Sequence, residues 1–220
     1  MGSSVPSFWP PPLEHLDMHS STPVTNLQTR HNRATRLLHA GLALAIVTQL
    51  LTSLQMHGPD DVQAGDILFQ VHRYSGLSAT VLAFGLWVTI LVRSRGTDLG
   101  ALIPWFSRRR LTVLWRDCKM HAGAIIRLRL PEHDPQAALP SAIHGLGLVL
   151  ISTMAASGAI YFIQVALGLH SAEPDGMIAM TVHLALANLV WAYLIAHAGL
   201  ALLHHLLQSM RLSTMWSFAR

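Results

Sequence analysis

The chain reads as an all-α membrane protein, a four-transmembrane-helix bundle with both termini cytoplasmic and an amphipathic surface segment between helices two and three. Three observations carry that reading. Only 12% of the 220 residues are charged and 51% are hydrophobic, whereas soluble domains carry roughly 25% charged residues. The charges are also unevenly spread: residues 37–56, 135–172 and 176–210 hold none, and 67–92 hold only Arg73. Each gap accommodates the ~20 apolar residues of a spanning helix. Finally, every one of the 15 Lys and Arg except Arg73 lies before the first gap, between the second and third, or after the fourth. With four spans these regions share one side, which the positive-inside rule makes cytoplasmic.

Residues 1–28, rich in Pro, Ser and Thr with a Phe8-Trp9 pair beside three prolines, form a mostly irregular N-terminal extension. The four-helix membrane domain covers 29–210. Span one, about 36–56, is "RLLHAGLALAIVTQLLTSLQM", entered through Arg30, Arg33 and Arg36 and followed by a turn with Gly58, Pro59, Asp60 and Asp61. Span two, about 67–93, is "ILFQVHRYSGLSATVLAFGLWVTILVR". The cytoplasmic connection 94–136 mixes basic and apolar residues over 107–130 at partly helical spacing, which suits a helix lying at the membrane surface. Span three covers about 140–168 and span four about 177–206, joined by "GLHSAEPDGM", and 211–220 is a short tail. The loops expected outside hold Asp60, Asp61, Asp66, Glu173 and Asp175 and no Lys or Arg.

Composition also excludes some classes. A single Cys118 cannot form an intramolecular disulfide, and among basic residues it informs neither redox compartment nor catalysis. A pI near 10 would suit nucleic acid, but the basic residues border apolar spans and are explained by topology. The N-terminus lacks the basic n-region and long apolar h-region of a cleaved signal peptide.

Within this frame four of the 14 histidines fall into level-matched pairs. His39 lies about one turn inside the cytoplasmic boundary on span one, and His72 about two turns below the outer face on span two. Span four supplies His183 in its outer half and His197 in its inner half, fourteen residues apart and so about 21 Å apart on one face. Intramembrane ionisable residues cost several kcal/mol unless paired or ligated, so they are functional candidates. The bland reading, a helix-to-helix hydrogen bond contributing about 1 kcal/mol, suits one histidine better than two matched pairs.

Zinc wants three or four ligands, and the spans offer no carboxylate or thiolate to complete a set. Haem iron accepts two axial imidazoles, and its apolar ring suits the space between apolar helices. The pairs are therefore expected as His72/His183 outside and His39/His197 inside. Gly41, Gly76 and Gly199 follow ligand candidates closely and leave room for a macrocycle, and Arg73 is placed to meet a propionate. His144 opens span three on the cytoplasmic side, where it competes with His39 or borders a ligand pocket. His204 and His205 lie at the inner interface as bystanders or neighbours of a quinone site. The other histidines fall in loops or tails and default to solvent.

The elements "RLLHAGLAL", "VHRYSG", "SAIHGLGL" and "HLALANLVWAYLIAHAGLALLHH" resemble the bacterial cytochrome b561 family, which includes the cytochrome b subunits of nickel–iron hydrogenases. The last is the most specific, with its fourteen-residue His interval, internal "LAN" and closing "HH". The resemblance covers about 36–206. It implies two b haems with bis-histidine ligation, maps His39, His72, His183 and His197 as ligands, and implies electron exchange with ubiquinone or menaquinone in the bacterial cytoplasmic (inner) membrane. Some members look like anchors for a partner oxidoreductase, and others oxidise superoxide at the periplasmic face and reduce ubiquinone.

The leading expectation is thus an electron-transfer cytochrome working between a partner redox protein and the quinone pool. Alternatives are a superoxide:ubiquinone oxidoreductase, and an accessory cytochrome b subunit docked in a larger membrane redox complex. Against superoxide, an anionic substrate gains from a positive funnel, whereas the expected outer loops carry five acids and leave attraction to Arg73. An acidic outer face better suits a basic docking protein.

Overall fold

A chain inside hydrocarbon must satisfy its own N–H and C=O groups, and the apolar runs do so as helices. The computed structural model describes residues 33–59, 65–92, 98–127, 137–169 and 177–207. The N-terminal extension, the C-terminal tail and the loop acids Asp60, Asp61, Glu173 and Asp175 lie outside the described residues. Among those described the order is α1 (Arg33–Ser53), α2 (Ile67–Val92), the short α3 (Leu99–Leu102), a 3-10 turn at Pro104–Phe106, α4 (Arg108–Ile126), α5 (Ala138–Ala166) and α6 (Ile178–Leu206). No strand is present among them, and α1, α2, α5 and α6 are long and apolar enough to cross a membrane. The protein is a multi-pass, all-α membrane bundle.

Helix α1 starts and stops three residues before the span read from hydropathy. It ends because the amides of Gln55 and Met56 both fold back on the Thr52 carbonyl, at 3.2 and 3.0 Å. Asp66 then starts α2: its Oδ1 accepts the Phe69 amide at 2.7 Å, an N-cap contact. Its Oδ2 accepts the His57 amide at 3.0 Å, and its own amide donates to the His57 carbonyl at 3.1 Å. The Phe69 hydrogen bond, reinforced by His57, holds the Asp66 carboxyl below the ordinary aspartate range.

Lipid tails are as apolar as leucine, so close contact between helices, not hydrophobic burial, has to hold the bundle. Helices α1 and α2 achieve it reciprocally. The Leu82 side chain sits 3.3 Å from where a Cβ on Gly41 would be, and the Leu38 side chain 3.0 Å from where one on Gly85 would be. Along α2 and α5, Trp87 Nε1 donates to Ser152 Oγ at 2.9 Å and Thr80 Oγ1 donates to the Ala155 carbonyl at 3.4 Å. Helix α6 packs chiefly against α5. Leu42, Ala45, Leu50, Ala79, Ile151 and Val190 form the buried centre, while Leu44, Val81 and Phe84 point outward.

The expected surface segment is α4, shorter than 107–130, and none of its residues is buried. Its half-buried side, with Leu114, Asp117, Cys118 and His121, faces the bundle. Helical spacing puts Leu111, Trp115 and Ile126 on an exposed apolar stripe and Arg109, Thr112 and Arg116 on an adjoining polar face. That division suits a helix lying in the interface plane. Asp117 docks it: Oδ2 accepts the Leu139 amide in the first turn of α5 at 2.7 Å, and Oδ1 lies 3.1 Å from His121 Nδ1. Before α4, the Leu102 carbonyl lies so close to the Cα of Gly145 on α5 that a side chain there would overlap it.

Candidate haem-ligating histidine pairs

Each of the four candidate histidines sits where a turn of helix carries it toward the bundle interior. His72 and His183 are five residues into α2 and α6, at the end opposite α4. Their rings meet edge to face, with centroids 6.2 Å apart and planes at 78°. His39, six residues into α1, and His197, nine before the end of α6, lie at the α4 end. Those centroids are 6.5 Å apart, with planes at 57°.

The rings nearer the opposite end are oriented by neighbouring helices. Nδ1 of His72 lies 3.1 Å from the Gln49 carbonyl and 3.1 Å from Thr52 Oγ1, both on α1. Nδ1 of His183 lies 3.1 Å from the Met154 carbonyl and 3.1 Å from Ser157 Oγ, both on α5. A carbonyl oxygen only accepts, so each Nδ1 carries the hydrogen and Nε2 keeps the lone pair. This is the tautomer of an imidazole that ligates a metal through Nε2, and the carbonyl raises the basicity of the ring. Gly158 leaves room for the His183 ring: a Cβ there would lie 3.3 Å from its Cε1. Gln49 also braces this level, its Nε2 donating to the His72 carbonyl and, at 2.7 Å, to Ser75 Oγ.

Arg73 lies beside this pair. Its guanidinium carbon is 4.8 Å from the Tyr74 ring centroid and 5.5 Å from that of Phe162, and Nη2 donates to Tyr74 Oη at 3.0 Å. Its Nε is buried and has no hydrogen-bond partner among the described residues. An orphaned buried donor costs about 1–3 kcal/mol, so a missing acceptor is implied there. The room beside two of the glycines is already filled by protein. The Gln49 amide occupies the space beside Gly76 and Leu82 that beside Gly41, so both serve the packing of α1 on α2; of these three glycines, Gly199 alone has open space beside it among the described residues.

At the α4 end, His144 on α5 meets His197 at right angles with centroids 5.1 Å apart, its Nδ1 2.6 Å from the Pro140 carbonyl. Tyr193 stacks on His197, at 5.4 Å and 12°. His204 is buried on the last turn of α6, whereas His205 is exposed. Among the described residues no group of three or more His, Cys, Asp or Glu is arranged to hold a metal ion. His72 and His183 meet each other, whereas His197 meets His39, His144 and Tyr193.

Residues 30–218 match the family model for prokaryotic cytochrome b561. The chain belongs to the prokaryotic cytochrome b561 family. Nothing matches among the curated proteins or the solved structures. Membership makes the chain a membrane b-type cytochrome of electron transfer and implies haem b binding.

The histidine pairs fit that group. With imidazole-to-metal bonds of about 2 Å, two rings on opposite sides of one iron have centroids roughly 6.3 Å apart. Separations of 6.2 and 6.5 Å match that span, while the 5.1 Å from His144 to His197 falls short of it. The orphaned Arg73 Nε is a buried donor of the kind a carboxylate accepts from. Sequence reasoning missed Gln49, Thr52, Met154, Ser157 and Tyr193. Only Tyr193 carried a signal, being four residues from His197 on one helix face.

Proposed function

We propose that this cytochrome b561 binds two b haems, on His72/His183 and on His39/His197, and carries electrons across the cytoplasmic membrane between a redox partner protein and the quinone pool. The observation behind this reading is the pair of ring separations, each within 0.2 Å of what a shared iron requires, judged from 6.2 and 6.5 Å against roughly 6.3 Å.

Bound haem supplies a one-electron iron couple at each level. The chain's own residues bind, orient and insulate it. His72 and His183 present Nε2 because carbonyls of Gln49 and Met154 hold their Nδ1 hydrogens. Arg73 meets a carboxylate with a guanidinium that aromatic rings keep in place. Between the levels, Val190 with Ile151 and Ala79 excludes water. His144 and His204, at the α4 end, give a quinone head group hydrogen-bonding side chains and a route for protons from the cytoplasmic side.

Redox titration with pyridine-haem quantitation tests the proposal. Two haems per chain are expected, and His183→Ala and His197→Ala are each expected to lose one. Full haem content in both variants would sink the ligand assignment. Quinol oxidation by the purified protein tests the second half, and haems that quinol leaves oxidised would exclude the pool as partner.

A further inference from the structure

Three of the rings around the proposed haem sites are tied by a nitrogen: Nδ1 of His72, His183 and His144 each lies within hydrogen-bonding distance of a backbone carbonyl. His197 is held differently. Among the described residues no hydrogen bond reaches its ring, and its orientation comes from two other rings. His144 abuts it at 90°, and Tyr193, one turn earlier on α6, lies almost parallel to it at 12° and 5.4 Å. An offset parallel pair at this separation is favourable by about 0.5–1.5 kcal/mol.

Tyr193 is itself seated by a glycine. Its phenol end crosses to α5 and rests directly over the Cα of Gly147, where a side chain would overlap Oη and Cζ. Gly147 is buried. A tyrosine ring has only χ1 and χ2 to adjust, so a Cβ at position 147 cannot be accommodated by the tip alone. The whole ring has to turn, and it turns against His197.

We propose that Tyr193, seated on Gly147, is the positioning residue that sets the plane of the His197 imidazole and hence its 57° angle to the His39 ring. The proposal rests on the ligation proposed above. It differs in kind from the other level, where carbonyls of Gln49 and Met154 set the rings at 78°. The angle between two axial imidazole planes governs the splitting of the iron d orbitals, and so the electron paramagnetic resonance g values of the ferric low-spin site. The two levels should therefore give distinct signals, and only one of them should answer to Tyr193.

The test uses the full-length haem-loaded protein in detergent, with spectra of Tyr193→Phe, Tyr193→Leu and Gly147→Ala beside wild type. His197→Ala, which lacks this site, identifies its signal. Tyr193→Phe keeps the ring and should keep the wild-type g values. Tyr193→Leu and Gly147→Ala should move the largest g value of that one signal, with two haems per chain retained and the His72/His183 signal unchanged. Wild-type spectra from both of those loaded variants would overturn the proposal, as would an equal shift in Tyr193→Phe, which would trace the effect to the hydroxyl. Loss of one haem in Tyr193→Leu with full content in Tyr193→Phe would support it, since the ring alone restores the site. Wild-type protein without haem would instead overturn the ligation and this inference with it.

Discussion

Ser157 Oγ on α5 lies 3.1 Å from Nδ1 of His183 on α6, beside the Met154 carbonyl that shares the same nitrogen. The ring is thus held by two acceptors on one neighbouring helix, one of them beyond the reach of mutation. Ser157→Ala should cost about 1 kcal/mol of stability and leave haem bound, because the carbonyl remains. Gly158→Val should act more severely, because even a Cβ at that position would lie 3.3 Å from His183 Cε1. One haem per chain is expected for Gly158→Val and two for Ser157→Ala by pyridine-haem assay. Two haems in both would mean the ring is not confined there.

Arg73 offers a buried Nε without a partner. Arg73→Leu removes the donor and should weaken haem retention by about tenfold or more, since a charge-assisted hydrogen bond is worth roughly 1.5–3 kcal/mol. Transfer of haem to an excess of apo-globin measures the change. Arg73→Lys should recover only part, because an ammonium lacks the planar fork. Equal transfer rates for all three proteins would remove Arg73 from the site.

Asp117 ties α4 to the first turn of α5 through the Leu139 amide. Asp117→Ala removes an N-terminal acceptor for α5 and should cost about 1 kcal/mol. Faster hydrogen exchange over 108–126 is expected, with haem content unchanged, because none of the four proposed ligands touches this contact. Unaltered exchange would mean the exposed apolar stripe of Leu111, Trp115 and Ile126 holds α4 on the membrane by itself.

At the start of the same region, Arg110 Nη1 lies 2.7 Å from Asp98 Oδ2. The Arg110 hydrogen bond, aided by its charge, holds the Asp98 carboxyl below its ordinary value. A depressed carboxylate pKa means the contribution is fully present above the unfolded value of about 3.9 and fades as pH falls through the lower folded value. Exchange over 98–110 should be insensitive to pair formation from pH 5 to 8 and rise only below about pH 4. Both side chains are well exposed, so the effect should be small and shrink in salt. Arg110→Gln should abolish it, and an acid transition unchanged in that variant would assign it elsewhere.

The four spans were legible because charge and hydropathy mark where a helix meets lipid, and that signal needs no tertiary information. Ring proximity within each histidine pair was legible too, since four antiparallel spans convert residue position into depth. The glycines were not. Gly41 and Gly76 read as room for a macrocycle, yet Leu82 and Gln49 fill those spaces, because sequence shows that a position is small but not what faces it. Helix α3 was equally hidden: its four residues have no period to detect, and its place depends on the Leu102 carbonyl meeting Gly145. The braces on the rings were invisible for a related reason, since Gln49 and Met154 act through backbone carbonyls that every residue possesses.

His183, Val190 and His197 follow one another at intervals of seven along α6, with Val190 buried between the two levels. Because both histidines are carried by one unbroken helix, α6 works as a ruler. Membranes of different thickness can tilt the bundle, and a docking partner can press on either face. Neither alters the fourteen-residue interval between the rings, so if the two proposed haem sites are occupied, the distance between them is written into the covalent chain and not into the surrounding lipid.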